Sequence, residues 1–293
     1  MNTTESINQN PTTSVATIPK SILLTGKMLQ FLAPPLATKF AIKLFKTPIR
    51  FKTPKREKIM EKSAKKELLF IPELNKEVLI YTYGYSKRKV LLVHGWSGRG
   101  TQLFNIADKL LENGFMTISF DGPAHGKSTG KTTMMTEFIA VIKYLEAKQG
   151  PFEYAIGHSL GGMTVLNNIK QGLNIKKAVI IGAGDMITDI INDFVKKIEL
   201  KPKVVSKIKQ HFHTKFGEDI DNYSASVAAK KVKIPVLIIH DTTDKEVPVS
   251  CAYNIRKNLD VCEILITNGL GHTRILKDTN VVNRIEQFIT QTN

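Results

Sequence analysis

The sequence predicts an α/β fold in which a mostly parallel sheet is covered by helices on both faces. The first sign is that short apolar segments, typical of strands, alternate with longer amphipathic segments, typical of helices. The second is that segments such as 90–93 and 178–181 are apolar throughout and lack a period of two. Strands that are buried on both faces have this pattern, as in a parallel sheet between two layers of helices.

Each element follows from the same two patterns. The segments 67–71 and 78–82 predict a short antiparallel pair at the start of the sheet. Continuous apolar runs predict six further strands, at 90–93, 115–120, 154–156, 178–181, 235–239 and 262–266. Helical periodicity predicts the intervening helices, at 102–112, 133–148, 162–170, 252–258 and 281–290.

The alternation of strands and helices is interrupted between residues 184 and 231. This stretch is basic, predicts two helices at 187–199 and 204–216, and is longer than a single crossover helix. We therefore expect a small helical cap at about 185–231, inserted into the domain and not a domain of its own. Its apolar side chains either line a substrate pocket or pack on the sheet: Phe194, Val204, Val205, Phe212 and Phe216.

The bulk composition limits the class of the protein. A chain of 293 residues that is 42% hydrophobic and 23% charged is ordinary for a soluble globular protein. Its two cysteines, Cys251 and Cys262, cannot form a disulfide framework, which indicates a reducing compartment. The first residues have neither the basic start nor the apolar core of a signal peptide, so we expect a cytoplasmic protein.

The positive charge is concentrated near the N-terminus. Residues 19–66 hold 13 lysines and arginines against two glutamates, which is a net charge of +11 out of +16 for the chain. The preceding residues 1–18 are rich in Thr, Asn and Ser and predict a disordered tail. Within the basic segment, residues 36–46 predict a short helix with three lysines on one face and apolar side chains over much of the rest.

Three interpretations of this partly helical basic segment are open. Its apolar face docks on the main domain and leaves the lysines in water, or the segment makes a peripheral contact with an anionic membrane surface. Nucleic acid is the least favoured partner, because few aromatic side chains lie among the lysines and no nucleic-acid motif is present.

The stretch Gly157-His158-Ser159-Leu160-Gly161 lies between an apolar strand and a predicted helix. A serine in such a turn has a strained backbone, and its hydroxyl projects over the end of the sheet. Glycines two residues before and after it let the strand and the helix approach without a clash of Cβ atoms. Because a serine hydroxyl alone is a weak nucleophile, it needs a base, an orienting group and donors for an oxyanion.

Seven histidines compete for the role of the base. His272 is favoured, since it lies in a loop after the last strand, from which its side chain can reach across to Ser159. His125, in a turn beside the site, is a weaker candidate, and the remaining histidines are more consistent with local packing or a place in the cap.

Three aspartates compete for the role of the orienting carboxylate. Asp244 is favoured, because it lies in the loop after the strand 235–239 and just before Val247-Pro248. Asp241 is suited to an Asx turn at the end of that strand, and Asp185 follows an earlier strand.

Two backbone N–H groups are predicted to bind the oxyanion. Leu160 directly follows the nucleophile, and Trp96 lies in the glycine-rich loop 94–100 after a strand. That loop fits neither of the two common glycine-rich phosphate-binding patterns. Residues 126–128 read Gly-Lys-Ser but lack the required upstream glycine, so nucleotide binding is disfavoured and we expect no cofactor or metal.

In these motifs the sequence resembles the α/β-hydrolase family. The resemblance covers about residues 67–293 and rests on five motifs in the family's order: His94-Gly95-Trp96, 121–128, 157–162, 244–248 and Gly271-His272. The chain order of serine, acid and histidine is also that of the family. The resemblance implies an α/β-hydrolase domain whose triad is Ser159, Asp244 and His272, and hydrolysis of an acyl bond through an acyl-serine intermediate.

The resemblance leaves the substrate open, because this fold hosts many reactions. We expect a carboxylesterase that acts on small-molecule esters with small to medium acyl chains. The alternatives are a thioesterase or a lipase-like enzyme at a membrane surface and, from another class, a non-catalytic binding protein on the same fold.

Overall fold

A computed structural model describes residues 18–291 of the chain. Within this range the central sheet has eight strands: β1 Lys65–Ile71, β2 Lys76–Tyr83, β3 Lys89–Val93, β4 Met116–Phe120, β5 Tyr154–His158, β6 Lys177–Ile181, β7 Val236–Asp241 and β8 Cys262–Thr267. Their order across the sheet is β1-β2-β4-β3-β5-β6-β7-β8. Strands β3 to β8 are parallel, whereas β2 is antiparallel to both β1 and β4. The predicted mostly parallel sheet and its antiparallel first pair are confirmed.

The same residues form twelve α-helices, most of which connect successive strands. They are α1 Lys20–Leu32, α2 Pro34–Phe45, α3 Lys58–Ser63, α4 Phe104–Glu112, α5 Met135–Gln149, α6 Leu160–Lys170, α7 Ile187–Lys197, α8 Lys203–Phe216, α9 Ala225–Ala229, α10 Ser250–Arg256, α11 Gly271–Arg274 and α12 Thr279–Thr290. In the described part of the chain, no helix is long and apolar enough to cross a membrane. The disordered tail predicted for residues 1–18 lies, apart from Ile18, outside the described residues.

The apolar core lies on both faces of the sheet, as the continuous apolar strands predict. In β3, Leu91 and Val93 belong to a cluster with helices α5 and α6 on one face. Their neighbours Val90 and Leu92 belong to a second cluster with α4 and α12 on the other face. Successive side chains of a strand point to opposite faces, so a strand between two helical layers is apolar at every position.

The register of the parallel strands brings several loops to one edge of the sheet. Val93 of β3 pairs with Gly157 of β5, and His158 of β5 pairs with Ile181 of β6. The loops that follow these three strands therefore leave the sheet at nearly the same level. Because polar groups on such loops converge, this edge is where a site is expected in an open α/β sheet.

Between β6 and β7 the chain forms α7, α8, a 3₁₀ turn at Ile220–Tyr223 and α9. In α8, Val204 and Phe212 are buried within the core cluster that also holds α5 and α6. Val205, Phe194 and Phe216 are partly buried and pack against the same cluster. Of the two interpretations of these side chains, the structure therefore favours packing on the body of the protein.

The basic N-terminal segment forms three helices, α1, α2 and α3, where the sequence predicts one. Helix α2 docks through the buried side chains Ala37, Ala41 and Ile42, and the Phe45 ring lies 5.2 Å from that of Phe194 in α7. The docking interpretation is therefore right for α2. Helix α1 is not predicted, and it packs on α2 at Gly26, where an added Cβ would lie 3.6 Å from Phe40.

Candidate active site

Ser159 occupies a sharp turn between β5 and α6. Its backbone angles are φ 54° and ψ −119°, a strained conformation for a residue with a side chain. Added Cβ atoms on Gly157 and Gly161 would collide with the carbonyl oxygens of Gly161 and Val93, respectively. The two glycines therefore let the strand, the turn and the helix close up around the serine. The Ser159 N–H donates to the Ile181 carbonyl (2.8 Å), which fixes the turn at the end of β6.

Asp244 lies in the loop after β7, His272 lies in the short helix α11 after β8, and the two side chains contact each other directly. The Nδ1 atom of His272 is 2.7 Å from Oδ2 of Asp244. The other carboxylate oxygen accepts hydrogen bonds from the N–H groups of Glu246 (2.8 Å) and Val247 (2.9 Å). A carboxylate only accepts hydrogen bonds, so Nδ1 of His272 carries a proton, and in the neutral ring Nε2 is the atom that can accept one.

The pKa of Asp244 is set by two opposing effects. Burial raises it, but the hydrogen bond from His272 and the backbone donors of the loop outweigh burial and hold the pKa below its ordinary value. Asp244 is therefore ionised at neutral pH. A fixed negative charge at Nδ1 favours the imidazolium that forms when Nε2 takes up a proton.

The His272 ring lies beside the turn that carries Ser159. A Cβ placed on Gly182, the residue after β6, would lie 3.3 Å from the Nδ1 atom of His272. His158, next to the serine, has its Nε2 atom 2.9 Å from the His272 carbonyl, and the two rings are 4.6 Å apart. Within residues 18–291 the Ser159 hydroxyl makes no hydrogen bond of its own, and in free enzymes such contacts commonly tighten when substrate binds.

The two competing aspartates have structural partners. Asp241 accepts hydrogen bonds from the Thr267 hydroxyl (2.7 Å) and the Leu270 N–H (3.0 Å), and so it fixes the loop that carries His272. Asp185 accepts one from the Ser226 N–H (2.9 Å), at the start of α9. Asp244 is the aspartate that the structure places against His272.

His94 and His125 bridge two loops, and both have their Nε2 lone pairs engaged. Nε2 of His94 accepts from the Gly122 N–H (2.9 Å), and Nε2 of His125 accepts from the Ser97 N–H (3.0 Å). Burial lowers the pKa of His125 to about 4 and that of His94 well below its ordinary value. Both rings are therefore neutral at pH 7 and tie the loop after β3 to the loop after β4.

Leu160 directly follows Ser159, and the loop of Trp96, the other predicted oxyanion donor, adjoins the same serine. Leu160 is the first residue of α6, where the helix dipole adds positive potential. The loop of Trp96 adjoins the serine, because a Cβ on Gly95 would lie 2.9 Å from the Ser159 Cβ. Among residues 18–291, neither the Trp96 nor the Leu160 N–H has a hydrogen-bond partner, so both remain able to bind an anion.

The structure adds a contribution that the sequence does not reveal, from residues 49–57, which we call the brace segment. The Ile49 N–H donates to the Ser97 hydroxyl (3.0 Å). Arg50 donates to the carbonyl oxygens of Ala124 (2.9 Å) and Ser128 (2.8 Å). The brace segment thus holds the loops after β3 and β4 from outside.

The buried carboxylate of Glu57 completes this brace. It accepts a hydrogen bond from the Thr101 hydroxyl (2.8 Å) and pairs with Arg99 (3.5 Å), both at the end of the loop that carries Trp96. In the sequence, the only feature that distinguishes Glu57 is that it is one of two acidic residues in the basic segment 19–66.

A surface cavity of about 520 Å³ adjoins Asp244 on the side of α7. It is bordered by three basic and three acidic side chains and by one proline: Asp193, Lys196, Lys197, Asp244, Lys245, Glu246 and Pro248. The balance of charge gives the cavity no net preference for anions. No group of three or more His, Cys, Asp or Glu side chains in the described range is arranged to hold a metal ion.

Comparisons with known proteins agree with this fold. A family model for the α/β hydrolase fold matches residues 89–207. An esterase from Pyrococcus furiosus is similar in structure (TM-score 0.63, 19% identity, 83% of this chain and 96% of that one). So is an esterase from Exiguobacterium antarcticum (TM-score 0.59, 17% identity, 76% of this chain and 99% of that one).

A bromoperoxidase from Bacillus anthracis is equally similar (TM-score 0.59, 18% identity, 77% of this chain and 99% of that one). A comparison with curated protein sequences finds no significant match. The chain has the α/β-hydrolase fold. Structures of this low identity establish the fold and leave the reaction to the geometry of the site.

Proposed function

We propose that the protein is a serine hydrolase that cleaves carboxylic esters with small to medium acyl chains. The observation that carries the proposal is the Asp244–His272 pair, 2.7 Å apart, beside a serine in a strained turn. Two N–H groups next to that serine have no hydrogen-bond partner in the described part of the chain, and such donors are what an oxyanion needs. That a serine, a histidine, a carboxylate and two backbone donors lie at one edge of the sheet supports the proposal.

In the first half of the proposed reaction, Ser159 Oγ attacks the ester carbonyl carbon and Nε2 of His272 takes its proton. Asp244 keeps the Nδ1–H in place and stabilises the imidazolium, while the Trp96 and Leu160 N–H groups bind the oxyanion. The bond between the carbonyl carbon and the alkoxy oxygen then breaks. His272 returns its proton to the departing alcohol, and the acyl group stays on Ser159.

In the second half, water replaces the alcohol. His272 takes a proton from this water as the water oxygen attacks the acyl-serine, and the oxyanion is bound by the same two donors. The bond between the acyl carbon and Ser159 Oγ breaks, and Oγ recovers a proton from His272. The products are one carboxylic acid and one alcohol, and the free enzyme is restored.

A panel of p-nitrophenyl esters of increasing chain length tests this proposal. We expect turnover to be greatest for short to medium chains and to fall by several orders of magnitude in Ser159→Ala. Thermal unfolding of the variant shows whether it is folded. An unchanged rate in folded Ser159→Ala, or no turnover of any ester by the unaltered protein, would contradict the proposal.

A lipase-like enzyme at a membrane surface is the second candidate, and it is favoured by the exposed apolar side chains of α1. Turnover of long-chain esters in vesicles above that of soluble short-chain esters would support it. A thioesterase predicts faster turnover of acyl thioesters than of matched oxygen esters. A binding protein on this fold predicts that a fluorophosphonate probe leaves Ser159 unlabelled.

A further inference from the structure

Helix α1 carries a row of exposed apolar side chains. Phe31 is 87% exposed, and Leu24 and Leu32 are each 70% exposed. The spacing of Leu24, Met28 and Phe31 is i, i+4, i+7, which places them on one face of the helix. We call this row, which continues into the start of α2, the α1 ridge: Leu24, Met28, Phe31, Leu32 and Leu36. Single exposed apolar side chains are ordinary, whereas a contiguous row is typical of an interaction surface.

The opposite side of α1 is fixed to the body of the protein. Gly26 is buried, and an added Cβ there would lie 3.3 Å from a methyl group of Leu200, in the connection between α7 and α8. The Gln30 side chain accepts a hydrogen bond from the Lys201 N–H (2.6 Å). The helix therefore has a defined orientation, with the α1 ridge facing away from the body.

The segment that bears the α1 ridge is basic, although its Lys27 pairs with Glu199, just after α7. Residues 18–56 contain nine lysines and arginines and no aspartate or glutamate. Lys20, Lys39 and Lys43 are exposed on the same two helices as the ridge. Apolar side chains flanked by lysines are typical of helices that lie in the interface of an anionic bilayer. There the acyl chains contact the apolar side chains and the lipid phosphates contact the lysines.

The same N-terminal segment exposes apolar side chains as far as the candidate active site. Ile49 and Phe51, in the brace segment, are each about half exposed. The Ile49 N–H is bonded to the hydroxyl of Ser97, the neighbour of Trp96, whose own side chain is 37% exposed. The segment that bears the α1 ridge thus ends at the rim of the proposed oxyanion site.

We propose that the α1 ridge docks on the surface of an anionic lipid membrane. The apolar side chains enter the boundary between headgroups and acyl chains, and the neighbouring lysines contact lipid phosphates. Docking of this kind holds the chain at the surface as a peripheral protein. Docking would also give the enzyme a preference for esters that lipids present, and this consequence rests on the proposed function.

Co-sedimentation of the full chain with vesicles tests the docking. All proteins carry Ser159→Ala, so that the vesicle lipids are not hydrolysed. One set of vesicles is an equimolar mixture of phosphatidylcholine and phosphatidylglycerol, and the other is phosphatidylcholine alone. We expect binding to the anionic vesicles, weakening as salt is added, and little binding to the neutral ones.

Two pairs of variants locate the surface. Phe31→Ser with Leu32→Ser should weaken binding more than about tenfold, because two large apolar side chains no longer enter the interface. Its control is Tyr85→Ser, an exposed aromatic between β2 and β3, which should bind as the parent does. Lys39→Glu with Lys43→Glu should weaken binding, whereas the exposed Lys230→Glu should not.

Several results would overturn the docking proposal. They are equal binding to both kinds of vesicle, no binding to either, and a ridge variant that binds as well as Tyr85→Ser. A dimer in solution that Phe31→Ser with Leu32→Ser converts to monomer, without vesicle binding, would assign the ridge to a second copy. Vesicle binding that appears only after residues 1–17 are removed would show that those residues are what covers the α1 ridge in the full chain.

Hydrolysis of a soluble short-chain ester separates this proposal from the proposed function. With Ser159 restored, Phe31→Ser with Leu32→Ser should hydrolyse such an ester at the rate of the unaltered protein. Loss of vesicle binding without loss of this activity supports the docking surface. Failure of the unaltered protein to hydrolyse any ester counts against the hydrolase alone and leaves the vesicle result standing.

Discussion

The two sides of the candidate site are held together in different ways. On one side, Ser159, Asp244 and His272 follow strands β5, β7 and β8, and the register of the sheet brings their loops to one edge. On the other side, the loop of Trp96 is braced by Glu57, which binds Thr101 at the end of that loop, 44 residues away in sequence. The first arrangement is a property of a parallel sheet, whereas the second depends on a segment outside the part that resembles the family.

The proposed reacting groups and the contacts that support them therefore have separate origins in the chain. The side chains proposed to react require only correct strand ends and correct turns, and changes to them should act on the rate of reaction. The brace segment and the buried histidines act on the position of the loops, and changes to them should also act on stability. The predictions below separate these two kinds of effect.

Removal of the base should have the largest effect. His272→Ala takes away the proposed acceptor of the Ser159 proton, and kcat should fall by about 10⁴-fold or more. Because serine and histidine act in one step, Ser159→Ala with His272→Ala should be nearly as active as either single variant. Steady-state kinetics on the best ester measures this, with the exposed His213→Ala as control. Losses that multiply would show that the two side chains act independently.

Loss of the orienting charge should have the second-largest effect on the rate. Asp244→Asn keeps the shape of the side chain but removes the charge that stabilises the imidazolium, and kcat should fall by about 10³-fold to 10⁴-fold. Asp185→Asn is the matched control, because its amide oxygen can still accept the Ser226 N–H. Comparable losses in both variants would remove the reason for assigning the role to Asp244.

The buried histidines predict a decrease of stability in acid. Burial lowers the pKa of His125 to about 4 in the folded chain, whereas an unfolded histidine has a pKa of about 6.5. As the pH falls from about 6.5 towards 4, the unfolded chain takes up a proton that the folded chain does not. The free energy of unfolding should therefore fall, by roughly 3 kcal/mol for this group, and its contribution is complete above about pH 6.5.

Denaturant unfolding as a function of pH measures this effect. His125→Gln should flatten the pH dependence in that window, whatever its stability at pH 7. The exposed His213→Gln should leave the slope unchanged. Equal slopes in His125→Gln and the unaltered protein would contradict a neutral, buried His125.

The brace should have the smallest effect on the rate. Glu57→Gln keeps an acceptor for Thr101 but leaves the charge of Arg99 without its partner, so kcat should fall about tenfold and the free energy of unfolding by about 1–3 kcal/mol. The exposed Glu73→Gln is the control. A variant that loses stability but keeps kcat at a temperature where it is folded would show that the brace does not position the loop.

The sheet and most of its helices are predictable from sequence, because burial on both faces gives apolar strands and because helices in crossovers are amphipathic. Helix α1 is different. Its apolar side chains lie on both sides, with Leu23 partly buried against the core cluster and Leu24 and Phe31 exposed. Since no face of α1 is polar and Gly26 lies in its middle, the helical period is obscured.

The residues of the candidate site also fall into two groups, those that the sequence predicts and those that only the structure reveals. Ser159, Leu160 and Trp96 belong to short local motifs, and Asp244 and His272 follow strands, so each is found from neighbouring residues alone. The contacts of Glu57 and Arg50 with the loops after β3 and β4 arise only when the chain is folded. No local pattern encodes a contact across tens of residues, and tertiary structure is needed to reveal it.

Labelling of the folded chain with a fluorophosphonate, followed by mass spectrometry of its peptides, tests the central claim most directly. The probe reacts with a serine only when a neighbouring base and an oxyanion site activate it. We predict one covalent adduct on Ser159, slowed by orders of magnitude in His272→Ala. An unlabelled Ser159 in a chain that hydrolyses esters, or an adduct on another serine, would contradict the account.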